Sequence, residues 1–431
     1  MQSNTETSLR KPLSANFLSS SLAMGQALSM KLLPFALIAL CGVAVAQSPD
    51  FTVHEWGTFT TVSGSNGVLL PGLQREEEGL PLFVESHEGM GNLGAVGGGS
   101  QKELRIKGYI RPLENVTVKM ETPVIYFYTE RAFQAHVEVD FHGGSISQWY
   151  PSRSGGETPP AERKTVLDQA VSVTLNKPVG GEIDFATKYD GSIRWNVTIT
   201  PPAESDGSRI FRGGETPSWL FPRQVNSALV TAENGTADKF LFYRGVGNFP
   251  LPVVFRMEKD GVLTIHNRGA QPIPRLFVYD LGDGMSARFQ LLGALPAGQS
   301  SSVELGKINA VGRWQKPVYD TLAGALIEAG LTRSETDAML QTWWTSYFLK
   351  PGLRVFWIVP REFTDSILPL RITPAPASTT RVLVGRAEIL TPEFERTLIK
   401  QKSDPNLYLW KNDRYNEAYD ERVRQLGGSP H

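Results

Sequence analysis

A chain of 431 residues can bury a sizeable core and can hold two or three domains. Its 43 Lys and Arg against 44 Asp and Glu leave a net charge of -1, so the basic excess that a nucleic-acid surface needs is missing. The 41 Gly, 29 Pro and 10% aromatic content favour β structure with many turns.

The N-terminus carries the clearest signal of destination. Lys31 is followed by LLPFALIALCGVAVA, an apolar run too short to span a bilayer that closes on Ala44, Val45 and Ala46. This predicts a signal peptide cleaved before Gln47, and Met30 makes a more ordinary start than Met1. Residues 1–46 are then leader, and the mature chain is periplasmic or extracellular with no membrane span. Cys41, the single cysteine, leaves with the leader, which excludes disulfides, thiol nucleophiles and cysteine metal sites.

In the mature chain, FTVHEWGTFTTV from Phe51 predicts a strand, with Gly57 marking a bulge or a close backbone approach. A loop-rich stretch from Ser63 to Ser100 contains GMGNLG, a formal dinucleotide fingerprint without the strand before it or the helix after it that the motif needs. No cofactor is therefore named by the sequence. Strand-like runs follow at Val116–Met120, Pro123–Tyr128, Ala135–Phe141, Val171–Leu175, Ile193–Thr200, Ala228–Ala232, Phe240–Tyr243, Val253–Met257, Val262–His266, Arg275–Asp280 and Ser301–Leu305. This spacing predicts one or two sandwich-like units over residues 47–310, with a hairpin in LTIHNRGAQPIPRLFVYD from Leu263.

The pattern changes near Val318. Leu322, Leu326 and Ala329 recur at helical spacing before Gly330, and Thr332 with Glu335 forms a capping box that opens a second helix through Trp343 and Trp344. Leu353–Val359 is an apolar run that predicts a strand buried on both faces, ended by Pro360 and followed by the charged turn Arg361, Glu362 and Asp365. Another strand is expected over Arg381–Ile389, and Thr391-Pro392 and Asp404-Pro405 each predict a helix start. The fold class is mainly β with an α+β C-terminal part. Sandwich-like modules come first, then a helical hairpin and an α/β unit over residues 311–431.

Candidate site residues are few. His54 and Glu55 interrupt an apolar strand and must find partners if that strand is central, as a buried structural pair or as part of a ligand site. Glu121 stands at the solvated start of a strand or faces a cleft lined by Tyr126 and Tyr128. Arg244, beside glycines, suits a structural ion pair or an anion. Glu362 and Asp365 could act as an acid and base pair on a glycoside, with Arg361 pointing instead to salt bridging. His136, Glu138, Asp140 and His142 alternate along one strand face, where zinc ligation competes with a plain solvated face, and no metal is assigned.

HEWGTFT, METPVIYFY, FLFYRGVGNF, GLRVFWIVPREFTD and RVLVGRAEILTP together resemble a group of uncharacterised exported bacterial proteins, with QWYP at Gln148–Pro151 departing from an EWYP form. The resemblance implies export and a bacterial source and supplies no activity. The expected function is a binding or envelope-associated protein for a carbohydrate or peptide ligand, without nucleic acid. The alternative is an extracytoplasmic hydrolase acting on polysaccharide through a carboxylate pair or a metal. Convergence of His54, Glu121, Arg244 and Arg361 to Asp365 on one concave pocket would separate the two.

Overall fold

The computed structural model describes residues 50–76, 79–87, 89–90, 113–158, 183–187, 189–258, 260–282, 286–402, 404 and 413–427. The leader with Cys41, most of GMGNLG, the strand expected at Val171–Leu175 and the helix start expected at Pro405 lie outside these residues. The strands used below are β1 (Phe51–Ser63), β2 (Val118–Met120), β3 (Val124–Thr129), β4 (Phe133–His142), β5 (Gly144–Tyr150), β6 (Asp190–Thr200) and β7 (Leu241–Gly247). They continue as β8 (Val253–Met257), β9 (Val262–Asn267), β10 (Leu276–Leu281), β11 (Ala287–Leu292) and β12 (Ser300–Glu304), then β13 (Gly352–Ile358), β14 (Leu370–Thr373) and β15 (Ser378–Ile389). The longer helices are α1 (Gln315–Glu328), α2 (Arg333–Phe348), α3 (Arg361–Ile367), α4 (Pro392–Lys402) and α5 (Asn416–Gln425).

β1 is the middle of the large sheet. It pairs in parallel with β15 from Thr52↔Ser378 to Ser63↔Ile389, and its other edge takes β3 and β2 antiparallel. From β15 the sheet runs through β13 and β10 to β11, and from β2 and β3 it runs through β7 to β5. The regions expected before and after residue 310 therefore share one sheet, because a parallel pairing between the first strand and the last leaves no sequence signal at either site. Gly57 makes the close approach anticipated for it: a Cβ there would sit 2.9 Å from the Pro123 Cα.

The sheet folds back on itself. β4 and β6 pair antiparallel over Asp190↔His142 to Ile199↔Phe133, and β14, only a short helix beyond β13, pairs with β4. The corner between β4 and β5 is Gly143, at φ 77°, where a Cβ would lie 3.0 Å from the Phe249 Cβ. One core fills the fold: Phe51, Val53 and Phe59 of β1 pack with Val137 and Val139 of β4 and Trp195 of β6. A second core lies on the other face, where Trp56, Tyr126 and Phe356 meet Leu326 of α1 and Met339 and Trp343 of α2. α4 and α5 cover the end of the sheet through Leu398, Tyr419 and Val423 against Val62 and Val246. The result is a mainly β fold with an α+β C-terminal part.

Local signals hold where they are chemical. Thr332 and Glu335 form the capping box of α2, Gly330 closes α1 at φ 112°, and the Thr391 hydroxyl accepts from the Phe394 N–H at 3.1 Å to start α4. The expected hairpin from Leu263 does not form. β9 joins β8 and β12 in a separate three-stranded sheet, while β10 enters the large sheet against β11 and β13. The turn between β9 and β10 carries the chain from one sheet to another, a choice that turn residues alone do not encode. The charged turn at Arg361 is likewise the short helix α3.

Candidate functional site

Side chains on a strand alternate between faces, and β1 uses this to separate His54 from Glu55. Glu55 points between the two β layers with Phe51 and Val53. It is nearly inaccessible, accepts a hydrogen bond from the Tyr243 hydroxyl at 2.6 Å, and pairs with Arg381, its in-register neighbour on β15. Arg381 donates onward to Asp365 and to the Leu368 carbonyl, both at 2.7 Å. Asp365 also accepts from Arg361 at 2.7 Å across one turn of α3. Burial pushes the Tyr243 hydroxyl pKa up and the Glu55 charge pushes it the same way. For Arg381, burial would lower the pKa, and Glu55, Tyr243 and Asp365 outweigh it, so the guanidinium stays charged inside the core. Glu55, Asp365 and Arg361 thus belong to one chain of charges running from core to surface, and exposed Glu362 stands outside it.

His54 takes the opposite face, toward α2. Its Nδ1 lies 3.0 Å from Glu335, which also accepts from the Tyr128 hydroxyl at 2.6 Å and from the Thr332 N–H at 2.7 Å and hydroxyl at 2.8 Å. Burial raises the Glu335 pKa, but the His54, Tyr128 and Thr332 hydrogen bonds together exceed it and hold the carboxyl below its ordinary value. The capping glutamate of α2 is therefore also the group that docks this helix on β1.

Glu121 and Arg244 fall in a third place. Across the helix-facing side of the sheet, neighbouring strands each contribute a buried polar side chain: Gln148 of β5, Arg244 of β7, Lys119 of β2, Thr60 of β1, Arg386 of β15 and Arg354 of β13. Arg244 meets Glu76 at 2.9 Å and Gln148 at 2.5 Å, and Glu121 meets Lys119 at 3.2 Å. Glu388 accepts from Arg354 and Arg386, each at 2.7 Å, while Arg386 also lies 4.1 Å over the Tyr347 ring. Burial raises the Glu388 pKa, and the charges of Arg354, Arg386 and Arg414 bring it below its ordinary value. Glu121 is fully buried, so it stands neither at a solvated strand start nor in a cleft beside Tyr126 and Tyr128. Arg244 is in the structural ion pair.

The strand face of β4 is a solvated one. His136 and His142 are exposed, and Arg371 of β14 bonds Glu138 at 3.1 Å and Asp140 at 2.8 Å. Among the described residues no group of three or more His, Cys, Asp or Glu is placed to hold a metal. Glu157 is the carboxyl with the pKa a general acid needs, pushed by burial up to about 7 against donors from Ser145, Ile146 and Tyr189. His87, 3.9 Å away, is brought down to about 4 by burial and by Arg153. The Glu157 side chain is only 6% exposed, however.

The expected sites do not converge, and the crevices do not gather them. One, with about 50 Å³ of space, lies between α1, α2 and the sheet and is lined by apolar residues including Leu322, Met339 and Phe356. Arg244 borders a second, smaller one, of about 20 Å³. Both fall far below the roughly 300 Å³ of a pocket for a drug-sized ligand, whereas a third crevice, of about 530 Å³ and lined by Leu276, Leu292, Leu295 and Gln299, exceeds it but holds none of the expected site residues. Arg381, Tyr243 and Glu335 were missed as site residues in the sequence. Arg381 carries the same signal as Glu55, a charge inside an apolar strand, and Tyr243 and Glu335 carry none beyond a strand aromatic and a capping box.

No family model matches the chain, and no curated protein matches it. Among solved structures, the yeast delta-COP-I mu-homology domain aligns at TM-score 0.26 and 5% identity, over 79% of this chain and 97% of that one. The same domain complexed with the Dsl1 WxWxV peptide aligns at TM-score 0.25 and 5% identity, over 79% and 98%. Likeness at this level carries no argument about fold or function.

Proposed function

We propose that the chain is an exported binding or envelope-associated protein rather than a polysaccharide hydrolase. What supports this most is the fate of its acids. Glu55, Glu121, Glu335 and Asp365 each meet a cation or a histidine, Glu362 is exposed on α3, and none of the three crevices is lined by Asp or Glu. Glycoside hydrolysis needs two carboxyl groups facing each other across the scissile bond, and Glu55, Glu121, Glu335 and Asp365 are instead committed to holding strands and helices together, while Glu362 faces no second carboxyl across a crevice. The export half of the proposal rests on the apolar run after Lys31 and its small-residue ending. Among the described residues no helix is long and apolar enough to cross a membrane.

The test has two arms. N-terminal sequencing of the native protein from fractionated cells is expected to begin at Gln47 in the periplasm or medium; an intact leader on cytosolic protein would overturn the export half. Incubating the purified mature chain with polysaccharides while following reducing ends is expected to show no turnover, and titration with glycan and peptide panels is expected to show saturable binding. Turnover abolished by Glu157→Gln or Glu55→Gln would restore the hydrolase.

A further inference from the structure

Among the described residues the large sheet ends at β11, which pairs with β10 on one side only. On the other side a single bridge forms, with the Ala287 N–H donating to the Val311 carbonyl at 3.1 Å and the Val311 N–H donating to the Ala287 carbonyl at 2.8 Å. Main-chain groups alternate in direction along a strand, so those of Phe289 and Leu291 point outward as those of Ala287 do. No described residue pairs with them. Beside this edge opens the apolar crevice between sheet and helices. Leu291 and Phe277 face each other across β11 and β10 and both line it, with Leu322 and Leu326 of α1 opposite. Leu291 is 40% exposed and Ile327, at the end of α1, 42% exposed.

We propose that the free edge of β11 binds an extended peptide of a partner protein by strand addition, with an aliphatic side chain of that peptide seated in the crevice. This rests on the binding reading above and names the ligand class. A residue placed opposite Leu291 sends its side chain to the face that Leu291 uses, which is the crevice side. Apart from Thr58 and Arg275, whose guanidinium is paired with Glu328, the lining is apolar, and the space of about 50 Å³ suits an aliphatic group better than a charged one. Main-chain pairing then gives affinity and the crevice gives selectivity.

A second copy of the chain fits less well. The open edge runs only from Arg288 to Leu292, between the Val311 bridge and the point where Leu295 pairs with Ile273. Five residues span about 17 Å. A contact of that length falls well short of the roughly 1,200 Å² that a stable interface between folded proteins buries. A single extended segment continuing the pairing that Val311 begins does fit.

The test uses the mature chain and fluorescein-labelled heptapeptides that carry Val, Ile, Leu, Met or Asp at the central position between Thr and Lys residues. Anisotropy titration is expected to show saturable binding for aliphatic centres and at least tenfold weaker binding for Asp. Hydrogen exchange at saturation is expected to slow at the Phe289 and Leu291 amides. Leu291→Pro removes an outward N–H and leaves the ladder to β10 intact, so it is expected to cost at least tenfold in affinity, and Leu291→Ala less. If Leu291→Pro fails to fold, peptides N-methylated at alternate amides give the same answer on the unaltered protein. The proposal is overturned by an absence of peptide binding, by binding indifferent to Leu291→Pro, by protection elsewhere, or by a dimer that this substitution dissolves. Glycan binding without peptide binding would sink the edge and leave the binding reading standing, whereas no binding of either kind would remove both.

Discussion

Glu55 and Glu138 each sit on a strand of the same sheet and each meet an arginine at the in-register position of the neighbouring strand, Arg381 for the first and Arg371 for the second. Glu55 and Arg381 are 4% and 1% exposed, against 24% and 52% for Glu138 and Arg371. The side-chain chemistry is the same and the surroundings differ. In the core, each partner is tolerated only because the other is there, and Tyr243, Asp365 and the Leu368 carbonyl satisfy further groups of the pair. On the solvated face, water would replace either partner at little cost. Two cross-strand pairs that look alike on paper therefore do different jobs, one fixing β1 against β15 and one decorating the outside of β4.

The sharpest way to break this comparison is Arg381→Met. It leaves Glu55 in the core without its cation and with only Tyr243 to donate to it, and is expected to destabilise the fold by about 3 to 5 kcal/mol, read from urea denaturation. Replacing Glu55 with Met in the same chain should recover most of the loss, since an apolar pair of similar volume carries no desolvation cost. If the double variant is as unstable as the single one, packing rather than charge holds that position.

Burial alone does not set the outcome, as Glu157 and Glu335 make plain. Glu157 has its pKa raised from 4.5 to about 7, so its stabilising proton is fully bound below pH 4.5 and is lost as pH rises through about 7. Glu157→Gln is expected to stabilise the protein by up to about 3 kcal/mol at pH 8 and to change little at pH 4.5. Glu335 runs the other way. Its lowered pKa contributes stability that is present above 4.5 and disappears as pH falls through the folded value. Glu335→Gln should cost about 2 kcal/mol at pH 7 and flatten the acid limb of the stability curve, because hydrogen bonds to a charged group are the ones removed. Melting each variant across pH 2 to 8 checks both signs.

What the sequence made legible divides along the same physical line. Signals written in a few adjacent residues were readable: the Thr332 and Glu335 capping box, Gly330 after α1, the Thr391 cap of α4, and the buried run that became β13. Pairings between distant segments were not. Nothing in HEWGTFT or in RVLVGRAEIL says that Glu55 will lie beside Arg381, and a shift of one residue would have sent Glu55 toward α2 instead. The same blindness put β9 and β10 into one hairpin, when each lies between two other strands in a different sheet. Candidate residues chosen because they interrupt apolar runs were indeed the ones with partners, yet their convergence on a pocket depended on register and was absent.

The mildest change completes the comparison from the outer face. Arg371→Ala removes both contacts to Glu138 and Asp140 at a guanidinium that is half exposed. The hydrogen bond from Arg371, helped by its charge, holds the Glu138 carboxyl below its ordinary value, but Glu138 remains open to water on a solvated strand, which can replace that partner. The expected loss is under about 1 kcal/mol at low salt, shrinking further at 1 M salt, where the Debye length falls to about 3 Å. A loss of the size expected for Arg381→Met, insensitive to salt, would mean that β14 depends on this arginine to close the fold onto β4, and the distinction between the inner and outer pairs would no longer hold.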